Sequence, residues 1–190
     1  MKNTKTKKLV TCAIMIALAT VLSMFKLGIK MPLGGSLTLL SMLPICLVSI
    51  MFGLNWGFVS AFIYSVIQLL IDLPEAMGWG MDAKTWIGMI IFDYIVAFTA
   101  LGIAGIFRNK GSLGAMLGGV LALVLRYISH IISGTIFFAV WMPEGWSNPF
   151  IYSVCYNGAF MLPEIILTAV GLYFIVKVPE IQKLYMTTND

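Results

Sequence analysis

LGAMLGGVLALVLRYISHIISGTIFFAV, residues 113–140, is an apolar run that carries Arg126 and the chain's only histidine, His130, four residues apart. A membrane span needs about 20 predominantly apolar residues, so this run reads as one transmembrane helix. Residues at i and i+4 share a helix face. A cation at membrane depth costs roughly 2.5–3.5 kcal/mol even on the lenient insertion scale, and it therefore faces protein or a wet cavity. The pair either ties helices together or holds something else.

Outward from this run, the pattern repeats. The 190 residues are 60% hydrophobic and 11% charged, the composition of an integral membrane protein. Apolar stretches at Leu9 to Leu27, Leu39 to Gly53, Trp56 to Leu73, Trp86 to Phe107, Leu113 to Val140 and Phe150 to Val176 give an expected six transmembrane helices in an all-α fold. The second is short for a span and is expected to gain Leu37 and Thr38 or to lie partly buried. No linker, low-complexity segment or internal repeat divides the chain, so residues 1–190 read as one membrane domain.

Lysines 2, 5, 7 and 8 precede the first apolar run, but no small-residue cleavage site follows, and a retained first helix is expected. With the amino terminus inside, Lys2, Lys5, Lys7, Lys8, Arg108, Lys110, Lys177 and Lys183 gather on the inner side, and only Lys26, Lys30 and Lys84 face outward. This asymmetry places both termini in the cytoplasm of a multi-pass cell-membrane protein. The net charge of +4 is then topology and implies no nucleic-acid partner. Cys12, Cys46 and Cys155 lie in spans without metal-ligand spacing and read as packing residues, so no metal or cofactor is expected.

The elaborated loops fall on the outer face. Lys26 to Leu37 contains Pro32 and the Gly34-Gly35 pair; Asp72 to Thr85 contains Pro74 and two glycines; Trp141 to Pro149 contains Trp146. Inner connections are a minimal turn around Asn55 and the basic turn Arg108 to Ser112. At 1.5 Å per residue, Asp93 lies roughly 10 Å below the outer end of its helix. His130 falls in the outer half of the next helix, Arg126 one turn deeper, and Tyr152, Tyr156 and Asn157 in the first turns of the last. Polar side chains distant in sequence arrive at one level.

Asp93 either pairs with Arg126 or meets a cationic ligand, and the two readings are compatible. Tyr152 and Asn157 are about 140° apart on a regular helix, so they line one pocket only if the helix is irregular or deep between neighbours. Trp141 and Trp146 are belt residues by default. With Phe137 and Phe138 they equally form the walls or lid of a site for a flat cationic ring. Ala13 and Ala17 have the small-xxx-small spacing that permits close helix approach. There is no Walker A sequence, no HExxH and no Gly-x-Ser-x-Gly elbow, so neither ATP hydrolysis nor the usual protease chemistry is expected. A solute-capturing subunit without catalytic residues fits.

Leu125 to Gly134, the loop ending Pro143-Glu-Gly-Trp146, and Ile151 to Gly158 resemble the thiamine-specific substrate-binding subunits of energy-coupling factor transporters. Asp93-Tyr-Ile-Val-Ala-Phe with the following Leu101 to Phe107 resembles their fourth helix, and Met31-Pro-Leu-Gly-Gly-Ser36 with Leu43-Pro44 their first outer loop and second helix. The resemblance implies six helices, capture of thiamine from outside, and docking on a transmembrane coupling protein with two ATP-binding subunits, through the Ala13/Ala17 face. It implies ligand contacts at Asp93, Tyr94, Arg126, His130, Phe138, Tyr152 and Asn157, to which the aromatic reading adds Trp141 and Trp146. Asp93 stands where the family pattern has Glu, Arg126 where it has Lys, and Phe138 where it has Trp. The rival readings are a binder of a related pyrimidine, thiazole or other vitamin, an intramembrane enzyme using Asp93, His130 and Glu164, and a purely structural polar cluster.

Overall fold

The computed structural model describes residues 4–30 and 35–186; Lys2 and residues 31–34 of the first outer loop lie outside them. Helix α1 (Thr4–Met24) leads into strands β1 (Lys26–Lys30) and β2 (Ser36–Thr38), an antiparallel hairpin with Lys26 opposite Thr38. Helices α2 (Leu43–Phe52) and α3 (Leu54–Ala76) follow, then α4 (83–110), α5 (Gly111–Ile136), α6 (Pro149–Ile175) and the short α7 (Pro179–Met186). The protein is an all-α membrane protein with one small hairpin.

Five of the six expected spans are helices of spanning length. The apolar stretch Ala83–Ile136 folds back on itself to supply two of them. Phe107 leaves helical geometry at φ −106°, ψ 21°, and Gly111 turns the chain at φ +63°, a conformation that glycine adopts without strain. The second span differs from expectation. Leu39 to Met42 form a turn with Leu40 at φ +55°, Pro44 starts the helix, and α2 has only 10 residues, about 15 Å, all of them buried among its neighbours. The inner turn expected around Asn55 falls at Gly53 instead, at φ +89°, and Asn55 lies in the first turn of α3.

The first outer loop becomes a hairpin because bare backbone at membrane depth needs partners. The strands pair with each other, and β2 runs down α6. Tyr156 Oη accepts from Gly35 N at 3.2 Å, and the Glu164 carboxylate accepts from Thr38 N at 3.2 Å and from the Thr38 hydroxyl.

In lipid, apolar burial contributes little to helix association, which rests on close packing and interhelical hydrogen bonds. Ser49 of α2 supplies both. Its hydroxyl donates to Gly102 O at 2.5 Å and accepts from Gly105 N at 2.9 Å, a close approach that leaves no room for a side chain at Gly105 of α4 or Gly57 of α3. The buried face of α5 is Gly114, Ala115, Gly118, Gly119, Ala122 and Leu123, then Arg126, Ser129, His130 and Ser133. One stripe thus changes from small to polar along its length, and the change marks where the cavity begins.

Candidate functional site

Between α3, α4, α5, α6 and the hairpin lies a cavity of about 180 Å³. Helix α4 presents Asp93 and Tyr94 from a π-helical segment, Met89–Val96, that opens the usual turn. Asp82 starts this helix from the loop above, and the hydrogen bonds it accepts from Thr85 hold its carboxyl below the usual range.

Asp93 is engaged through both oxygens. His130 Nδ1 lies 2.7 Å from Oδ1, and the Ser133 hydroxyl donates to Oδ2. An ionised carboxylate only accepts, so the His130 proton sits on Nδ1 and Nε2 is left as an acceptor. That Nε2 is buried without a hydrogen-bond partner. Ser129 fixes the same wall by donating to Phe92 O at 2.5 Å.

Arg126 does not pair with Asp93. His130, one turn nearer the level of the carboxylate, takes that place through its hydrogen bond to Oδ1. The guanidinium lies instead over the Phe98 ring, 3.7 Å from its centroid, with Nε and Nη1 buried and unpartnered. A buried donor without a partner costs free energy until a ligand satisfies it.

Helix α6 supplies an aromatic ladder. Trp146 meets Tyr152 at 5.3 Å between centroids, Tyr152 meets Tyr156 at 5.8 Å, Tyr156 meets Phe160 at 6.1 Å, and Phe160 meets His130 at 6.1 Å. Asn157 donates to Ser153 O at 2.9 Å and Ser153 Oγ at 3.1 Å, and among the described residues no hydrogen bond to its amide oxygen is formed. Helix α6 stays continuous here, and Tyr152 and Asn157 both reach the cavity because the helix is set between its neighbours.

The cavity therefore brings together Asp93, Tyr94, Arg126, His130, Phe138, Tyr152 and Asn157. Trp141 and Trp146 do not line it. They stand one layer back, Trp141 against Phe138 at 5.6 Å and Trp146 against Tyr152, because the chain turns away after Phe138 into a single 3-10 turn, Ala139–Trp141. Glu164 lies outside the lining too, occupied with Thr38. Ala13 and Ala17 are both exposed on α1, opposite the buried Cys12, Ile16 and Ala19.

Sequence reasoning missed one wall. Asp72, Glu75 and Trp79 line the cavity from the end of α3 and the turn after it, and Lys26, Ser36 and Thr38 line it from the hairpin. Pro74 read as the end of the third helix, whereas α3 carries it within its last turn and continues to Ala76. The available signal was the i, i+3 spacing of Asp72 and Glu75.

Over residues 9–183 the chain matches the family described as thiamine transporter protein. It is 32% identical over 178 residues to the thiamine transporter ThiT of Bacillus subtilis (strain 168), covering 87% of this chain and 88% of that one. It is 26% identical over 141 residues to ThiT of Lacticaseibacillus paracasei, covering 68% and 67%. A solved structure of ThiT from Listeria monocytogenes superposes with a TM-score of 0.74 at 22% identity, over 96% of this chain and 99% of the other, which shows the shared fold. These relatives are transporters rather than enzymes, and the chain belongs to the thiamine transporter family as a multi-pass protein of the cell membrane.

Proposed function

We propose that the chain captures thiamine from the outer side of the membrane, as the substrate-binding subunit of an energy-coupling factor importer whose partner ATPases drive uptake. The observation that carries this reading is the cavity with buried, unpartnered polar nitrogens on Arg126 and His130 among aromatic walls. Thiamine joins an aminopyrimidine, which needs donors and acceptors, to a permanently cationic thiazolium, which suits carboxylates and ring faces. Arg126, His130 and Asn157 offer the former; Asp72, Asp93, Phe138 and Tyr152 offer the latter. Both termini would be cytoplasmic, consistent with the basic inner loops. The exposed Ala13/Ala17 face supports docking on the coupling protein, since small residues let two helices approach closely.

Titration calorimetry of the purified chain with thiamine, and with its pyrimidine and thiazole halves, tests the reading. Tight thiamine binding and weak binding of each half are expected; micromolar or absent thiamine binding overturns it. In the same preparation Ala13→Trp should keep thiamine affinity and abolish uptake in vesicles that hold the complete importer. Unimpaired uptake would remove the docking assignment.

A further inference from the structure

A second hollow faces the membrane and shares no lining residue with the cavity. It is an apolar groove of about 520 Å³ between α1 and α6. Leu18 and Leu22 of α1 form one wall, Phe174 and Val178 of α6 the other, and Leu43 and Pro44 the floor. The groove exists because α2 is short. Its 10 residues reach only about 15 Å up from the inner side, half of the roughly 30 Å hydrocarbon layer, so the helix starts near mid-depth. Gly171 lets α6 pass directly over that start, where a Cβ would run into the Leu43 side chain. Leu18, Phe174 and Val178 are left exposed.

The rotation of α1 separates this groove from the face assigned above to the coupling protein. At 100° per residue, Leu18 and Leu22 lie about 140° round the helix from Ala13 and Ala17. The buried Cys12, Ile16 and Ala19 form a third face between them. A helix docked on the two alanines therefore leaves the groove to the hydrocarbon.

Charge marks its inner mouth. From Val178 to Gly171 the wall rises about 10 Å, within the roughly 15 Å of one leaflet's chains. Lys177, beside Val178, is exposed, and its ammonium lies 3.8 Å from the Tyr173 ring centroid and 5.7 Å from that of Phe174, a groove wall. Among the described residues no carboxylate comes within ion-pair distance of it, Glu180 of α7 included. An apolar groove one leaflet deep that ends at an unpaired cation complements a single molecule of that leaflet, an anionic phospholipid.

We propose that the groove binds one anionic phospholipid of the inner leaflet, with an acyl chain along Leu18, Leu43 and Phe174 and the headgroup at Lys177. The site is independent of the thiamine cavity.

The test titrates the purified full-length protein, stripped of lipid, with dioleoyl phosphatidylglycerol or dioleoyl phosphatidylcholine and counts bound lipid by native mass spectrometry. One phosphatidylglycerol per chain is expected, bound about fivefold tighter than phosphatidylcholine. Lys177→Gln should abolish that preference and leave phosphatidylcholine within about twofold. Leu18→Trp, which fills the groove from an exposed position, should weaken both lipids about tenfold. Equal affinity for the two lipids in the unsubstituted protein overturns the proposal whether or not a variant folds, as does an undiminished preference in Lys177→Gln. So does a Leu18→Trp variant that binds both lipids normally yet abolishes uptake by the complete importer, which would make the groove a docking face for the coupling protein.

Discussion

Along one face of α5, the N-terminal half presents Gly114, Gly118 and Gly119, and the C-terminal half presents Arg126, His130 and Ser133. The first set meets protein so closely that no side chain fits. A Cβ at Gly114 would run into Phe107 O, one at Gly118 into Ala104 O, and one at Gly119 into Leu172. The second set meets α4 through side-chain hydrogen bonds, His130 and Ser133 on Asp93, and Arg126 and His130 line a cavity beside that contact. One half of the helix is an anchor and the other a receptor. Space for a ligand in a membrane bundle arises where close packing is withheld, and it stays open because polar groups there cannot be satisfied by collapse onto lipid-like side chains.

The comparison breaks most severely in the anchoring half. Gly118→Val places a branched side chain against the α4 backbone, which cannot move as a flexible side chain does, and overpacking of this kind costs about 3 kcal/mol or more. We expect no folded protein in detergent, read as loss of the monodisperse peak in size exclusion. Recovery of a folded variant with native thermal stability would show that α4 and α5 are less tightly locked than their backbones indicate.

The receptor half should respond in the opposite sense. Arg126→Met removes a buried guanidinium with two unpartnered nitrogens and supplies an apolar chain of similar length to cover Phe98. Replacing a buried charge by a packed apolar residue is often stabilising, here by about 1–2 kcal/mol in the empty protein. Thiamine affinity should fall by about 100-fold, since the donors at the deep end are gone. Thermal unfolding with and without thiamine separates the two effects. A variant that loses stability as well as affinity would make Arg126 a structural residue of the cluster.

Much of this contrast was legible before the structure. Five of the six spans follow from hydropathy alone, though not the ends of the second and third, and the depth of Asp93, His130 and Tyr152 follows from the helix rise. What could not be read is relative rotation and register. Whether Asp93 meets Arg126 or His130 depends on one turn of sliding between α4 and α5, together with the π segment that re-aims Asp93, and neither leaves a mark in the periodicity. The hairpin was hidden because its strands are five and three residues long and are stabilised from outside, by Tyr156 and Glu164. Asp72 and Glu75 were assigned to a loop because Pro74 normally ends a helix, whereas α3 carries it in its last turn and forgoes the hydrogen bond to the carbonyl one turn before.

The smallest effect is expected one layer behind the receptor face. Trp146 touches Tyr152, and Trp141 touches Phe138, without either indole reaching the cavity, whereas Trp79 lines it. An edge-to-face aromatic pair contributes about 0.5–1.5 kcal/mol beyond its area, and a phenyl ring retains part of that contact. Trp146→Phe should therefore change thiamine affinity by less than about threefold. Fluorescence quenching on adding thiamine should persist in Trp146→Phe and lose most of its amplitude in Trp79→Phe, because the indole nearest the ligand reports its arrival. A tenfold loss of affinity in Trp146→Phe would instead place that indole on the ligand, and the loop from Trp141 to Pro149 would then close over the cavity rather than support its wall.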